Sequence, residues 1–148
     1  MNIEILCIGS LKERYFRDAE SEYLKRLAPY CKIKVTELRE TRLPQNAGEA
    51  DEEAVRAHEG ETLLAAAEKS GTANRNGTFL FALDPRGRGL SSEAFAARFS
   101  EFALSGKQSI IFLIGGSLGF SDAVRKKADT VLSFSEMTFP HQLMRIIL

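Results

Sequence analysis

Residues 109–120 read SIIFLIGGSLGF, and residues 130–141 read TVLSFSEMTFPH. The first opens with an unbroken apolar run and ends in paired glycines. An apolar run without alternation is the pattern of a strand covered on both faces, which parallel sheets require. The second opens with a shorter apolar run and then stays apolar where a surface loop would turn polar. Between them, residues 121–128 suit a short helix. Strand, loop, helix and strand in that order form the unit of a parallel α/β fold.

The same rhythm extends to both sides. Residues 2–9 are an Ile- and Leu-rich strand. Residues 11–27 place Tyr15, Phe16, Ala19, Tyr23, Leu24 and Leu27 on one helical stripe. Residues 32–38 alternate as a strand, and residues 39–50, with Pro44, Asn46 and Gly48, form the most loop-like segment. Glu49, Asp51, Glu52 and Glu53 crowd the first turn of a helix that runs to Ser70, where acidic side chains meet the positive end of its dipole. Residues 78–83 are a strand, residues 84–90 a Pro/Gly loop, and residues 91–104 a serine-capped helix. Phe95, Phe99 and Phe102 fall on one face of that helix as core packing. A last helix starts at about Pro140. Five strands separated by helices predict an α/β fold: one domain over residues 1–148, with a mainly parallel sheet flanked by helices. Ligands in such sheets sit at the carboxyl ends of the strands, which directs the search to the loops after Leu83, Ile114 and Phe134.

Composition narrows the function. The chain is 44% apolar and 27% charged, a balance that suits a folded domain. No apolar run approaches the roughly 20 residues of a membrane span. Residues 1–16, MNIEILCIGSLKERYF, lack the basic start and small-residue cleavage site of a signal peptide, so a cytoplasmic protein is expected. Cys7 and Cys31 form no CxxC, and His58 and His141 belong to no HxxxH pattern, so no metal site is expected. With 20 basic and 20 acidic residues the net charge is zero, which gives no support to a non-specific grip on naked nucleic acid.

Three segments are candidates for chemistry. Gly115–Gly119 reads equally as a tight turn or as a loop that lets an anion or nucleoside approach the backbone. It is not a dinucleotide fingerprint, because no GxGxxG joins a strand to a helix. Met137 and Phe139 would be exposed apolar groups unless a ligand, a partner chain or their own domain covers them. Arg86 and Arg88 flank Gly87 and could hold a phosphate or simply be solvated. The glycine loop and the apolar segment at one sheet edge together favour a nucleoside pocket.

IGGSLGF, followed by LSFSEMTFPHQLMRIIL, closely resembles the RlmH family of SPOUT methyltransferases. Gly9 and Lys12, Glu22-Tyr23, Arg26-Leu27 and the FALDPRG segment extend the resemblance over nearly the whole chain. Members methylate N3 of a pseudouridine in large-subunit ribosomal RNA. The resemblance implies a C-terminal trefoil knot, a homodimer, and S-adenosylmethionine as cofactor. It also implies that Leu83, Gly115, Phe134, Ser135, Glu136, Met137, Thr138 and Phe139 bind that cofactor. His141 reads either as a proton acceptor or orienting donor, since an imidazole can exchange a proton near neutrality, or as a helix-start residue that only supports the loop. Arg145 would reach substrate phosphate or the partner chain. The RNA partner would be the large subunit or the assembled ribosome.

Members of that family continue past the last helix into a tail ending in a Tyr-His motif, whereas MRIIL ends here at Leu148. A chain without that tail is expected to leave Ile146, Ile147 and Leu148 uncovered, with a shallower knot, a smaller dimer interface and impaired catalysis. Two rival readings share the cofactor loops or the fold. One is a knotted methyltransferase acting on transfer RNA, and the other is a non-catalytic ribosome-associated module.

Overall fold

The computed structural model describes residues 1–70 and 77–148. Strands β1 (Asn2–Ile8), β2 (Lys32–Leu38), β3 (Thr78–Gly89), β4 (Ser109–Ile114) and β5 (Thr130–Ser133) form one sheet in the order β2-β1-β4-β3-β5. Every pairing is parallel. Helices α1 (Arg14–Leu27), α2 (Glu49–Ser70), α3 (Ser92–Leu104), α4 (Asp122–Lys127) and α5 (His141–Ile147) alternate with the strands.

Successive strand residues feed two cores. Ile5, Cys7, Phe81, Leu83, Phe112 and Ile114 face one side, where Phe102 and the half-buried Phe95 and Phe99 of α3 join them. Phe81 stacks on Phe112 with centroids 5.0 Å apart, so an aromatic pair fills the middle of this layer. Leu6, Ile8, Ala82, Ile111 and Leu113 face the other side and pack on Leu63 and Ala67 of α2 and Val124 of α4. Two covered faces explain why the central strands show no polar alternation. The Ser91 hydroxyl accepts the Ala94 N–H at 3.1 Å, the cap that the sequence predicts for α3.

Four expectations change. Residues 84–90 are not a plain loop, because β3 continues to Gly89 and Arg88 and Gly89 pair with Leu132 and Ser133. Leu83 and Arg88 both oppose Leu132, so residues 84–87 are an excursion from a ladder that then resumes. The proline and glycines mark a bulge, not a strand end. Helix α1 begins at Arg14, and Leu11 is buried in the loop before it. No residue of α1 is buried, so its aromatic stripe packs on no core of this chain and Tyr15, Tyr23 and Leu27 stay exposed. At the C-terminal end, Ile147 is exposed as expected, but Ile146 is half-buried and Leu148 packs on the core.

The excursion brings two backbones together. A Cβ on Gly87 would lie 2.6 Å from the Val131 carbonyl oxygen and 2.8 Å from the Leu132 carbonyl carbon. Gly89, two residues on, has no neighbour within 4 Å of such an atom. Gly87→Ala is therefore expected to destabilise the fold by about 1–3 kcal/mol, the usual cost of overpacking. Gly89→Ala should stay within about 0.5 kcal/mol of the wild type. Urea unfolding midpoints of the two variants check this, and equal midpoints would show that the excursion is not held against β5.

Candidate active site

The connection leaving β1 runs outward to β2, while the chain leaving the adjacent β4 runs the opposite way to β5, beyond β3. This reversal opens a crevice at the carboxyl ends of the strands. The crevice is a cleft of about 680 Å³, a size that suits a nucleoside-bearing ligand. Its floor is Ile114 and the turn from Gly115 to Phe120. One wall is Leu83, Asp84, Pro85 and Arg86, and the other is Thr138, Phe139, Pro140, His141 and Met144.

The glycine turn is closed by the Gly119 N–H, which donates to the Gly116 carbonyl at 3.1 Å. A Cβ on Gly115 would meet the Gly119 backbone and the Phe120 ring at 3.3 Å. A Cβ on Gly116 would meet Glu59 Oε2 at 2.8 Å and Ile8 Cγ2 at 3.1 Å. Here the glycines serve the packing of the turn itself as much as access from outside. The opposite wall is held by short-range bonds: Ser133 Oγ donates to the Ser135 carbonyl at 2.7 Å, and the Met137 N–H donates to Ser135 Oγ at 2.9 Å.

Most of the expected cofactor residues converge. Leu83, Gly115, Thr138 and Phe139 line the cleft. Phe134, Ser135 and Met137 line a small adjoining recess that shares Leu83 and Met144 with it. Phe134 also meets Phe95 edge-on at 6.1 Å, so its ring belongs partly to the core. Glu136 is exposed and lines neither space. Met137 is 72% exposed, the apolar surface that its sequence context predicts.

His141 lines the cleft, and its Nε2 lies 3.7 Å from where a Cβ on Gly9 would sit. Arg145 does not line the cleft; it is buried against α1, β1 and β2. Its Nη2 donates to Glu20 Oε2 at 2.9 Å, and its Nη1 donates to Glu37 Oε1 at 2.8 Å and to Cys7 Sγ at 3.3 Å. Its Nε donates to Glu20 Oε1. Burial alone would lower the pKa of this guanidinium, but the Glu20 and Glu37 hydrogen bonds prevail and raise it. Burial likewise pushes the Cys7 thiol up to about 11, with Arg145 opposing. The expectation that Arg145 reaches a substrate phosphate is thereby corrected, since two carboxylates and a thiol already engage it.

The arginine pair at the Pro/Gly segment is also rearranged. Asp84 is the buried member there: its Oδ2 accepts from Arg125 Nε at 2.8 Å and its Oδ1 from the Arg86 N–H at 2.9 Å. The Arg86 side chain stays largely in solvent. Asp84, Arg125 and Glu59 escaped the sequence reading, although Asp84 stands inside the quoted FALDPRG segment.

The family profile described as Predicted SPOUT methyltransferase matches residues 1–148. The chain belongs to this family. It is 45% identical over 148 residues to a Clostridium novyi protein named Ribosomal RNA large subunit methyltransferase H, covering all of this chain and 89% of that one. A Pelotomaculum thermopropionicum protein of the same name is 48% identical over 147 residues, covering 99% of this chain and 88% of its own length. A Bifidobacterium adolescentis protein of that name is 43% identical over 148 residues, covering all of this chain and 89% of its own. Membership implies a methyl donor, and the cleft with its adjoining recess gathers seven of the eight residues expected to bind it. Gly115→Val is expected to abolish donor binding, with some loss of stability as its side chain crowds the Gly119 backbone and the Phe120 ring. Calorimetric titration beside a circular dichroism spectrum checks this, and normal binding by the variant would show that the donor sits elsewhere.

Proposed function

We propose that this chain is an S-adenosylmethionine-dependent methyltransferase acting on N3 of a pseudouridine in 23S RNA of the large ribosomal subunit. The reading rests chiefly on one observation: the glycine turn, Leu83 and the Thr138–Phe139 segment share a single cleft in a chain of a methyltransferase family. The name carried by the relatives supports the ribosomal substrate. The residues fit the cofactor. Leu83, Leu118, Phe139 and Met144 offer apolar walls for an adenine ring, and backbone groups of the turn stand close enough to read its edge.

Bound in the cleft, S-adenosylmethionine supplies a methyl group already activated on a sulfonium. The protein then has to hold the ring nitrogen in line with that methyl at near-attack distance. His141, which shares the cleft walls with Asp84, Arg86 and Thr138, would take a proton from, or orient, the incoming base. Arg145 positions α5, and so His141, without touching the cleft. The C-terminal trefoil threading is carried by family membership. No helix among the described residues is long and apolar enough to cross a membrane, and a ribosomal substrate suits a cytoplasmic protein.

Methyl transfer from labelled S-adenosylmethionine should appear with ribosomes or large subunits and not with transfer RNA. Activity on transfer RNA alone would assign the rival substrate, and cofactor binding without any transfer would favour a non-catalytic module.

A homodimer is the second part of the reading. A groove of about 730 Å³ is bordered by α1, α3 and the end of α5, lined by Ile3, Ile33, Val35, Tyr23, Leu27, Phe99 and Leu148 among others. So large an apolar opening is costly in water and suits a second copy. Sedimentation equilibrium at micromolar concentration should give twice the 16.4 kDa chain mass. A monomer under those conditions would overturn the dimer.

A further inference from the structure

Glu59 is an anomaly in α2. It is 3% exposed, and its helix neighbours Val55, Gly60 and Leu63 are buried with it. One carboxyl oxygen, Oε1, accepts the Thr41 N–H at 2.9 Å. The other, Oε2, is buried without a hydrogen-bond partner and lies 2.8 Å from the Cβ position of Gly116. No salt bridge reaches it among the described residues, in contrast to the other buried carboxylate, Asp84, which Arg125 neutralises. Leaving a buried carboxylate oxygen unsatisfied is costly, so a group held this way calls for an explanation.

The position supplies one. Gly116 is part of the floor of the cleft, and because it lacks a side chain only its backbone separates Glu59 Oε2 from that space. Beside it, Ser121 Oγ is also buried without a partner, 2.5 Å from the Cβ position of Gly60. The layer behind the floor therefore holds two buried polar atoms without partners, one of them on a carboxylate. A charge on the protein side of a low-dielectric wall acts on a ligand across several ångströms without touching it. Such a charge distinguishes ligands by charge and not by shape.

We propose that Glu59 is a positioning residue that gives the cleft its preference for a cationic methyl donor over the neutral thioether left after transfer. The inference rests on the cofactor reading above and extends it to the product. Before transfer the donor carries a positive sulfonium, which the carboxylate behind Gly116 attracts. After transfer the sulfur is neutral and that attraction is gone. Release of the spent cofactor is thus favoured by the same group that favours capture of the fresh one. Burial raises the Glu59 pKa, the Thr41 hydrogen bond lowers it, and Glu40 raises it further.

Calorimetry on the full chain, with S-adenosylmethionine and S-adenosylhomocysteine as separate titrants, tests the proposal. Glu59→Gln is nearly isosteric and keeps an oxygen for the Thr41 N–H while removing the charge. It should weaken the donor relative to the product by roughly threefold to tenfold, with product affinity little changed. A merely structural role would weaken both ligands equally, and an unchanged ratio of affinities overturns the proposal. Should Glu59→Gln lose both ligands, Glu59→Asp and Glu59→Asn give the same comparison at a shorter reach. Donor preference kept in the first and lost in the second supports the proposal, and equal preference in both refutes it. Failure of the wild-type chain to bind either ligand would instead refute the cofactor reading.

Discussion

The Arg145 guanidinium decides where the end of the chain lies. Helix α5 has only seven residues, too few to hold its own conformation in water. It is fixed because its one buried arginine reaches Glu20 on α1, Glu37 on β2 and Cys7 on β1. Removing both carboxylate partners would strand a buried cation, which is far more costly than never having buried one. The same rotation of α5 that points Arg145 into this cluster sets Met144 and His141 against the opposite space, the cleft. A buried ion pair remote from the chemistry thereby sets the geometry of a cleft wall.

A second constraint acts on the other wall. Asp84 leaves the β3 ladder, is neutralised by Arg125 of α4, and turns the chain so that Gly87 rests on the β5 backbone. Pairing then resumes at Arg88 with Leu132, the residue that Leu83 already opposes. The excursion frames the cleft, and the glycine permits it because any side chain there would collide with backbone instead of a movable neighbour. Stability and site geometry are carried by the same few atoms.

This explains what the sequence revealed and what it concealed. The β4 run showed itself because burial on both faces leaves no polar residue to interrupt it, and the α3 cap showed itself because Ser91 acts within three residues. The segments that line the cleft were legible for a similar reason: paired glycines and a strand that exits into apolar residues are local signals. Residues 84–90 misled because proline and glycine read as a stop, whereas the register shift that reuses Leu132 is a tertiary fact. Arg145 misled because its partners lie 125 and 108 residues away. Glu59 was invisible for the opposite reason, being one carboxylate in a helix rich in them, and only burial sets it apart. The stripe on α1 was read correctly as a stripe, but no pattern within one chain specifies what covers it.

Helix α5 links that uncovered surface to the cleft. Met144 and His141 line the cleft, whereas Arg145, Ile146, Ile147 and Leu148 line the apolar groove, so one short element is a wall of both. Its anchor, Glu20, lies on α1 and lines the groove as well. A body seated in the groove would press on the residues that hold α5, and a shift of α5 would move His141 relative to the glycine turn. Packed elements of this kind move as units between discrete arrangements and do not flex gradually. The groove and the cleft therefore share α5 as a common wall, and its seven residues are the shortest connection between them.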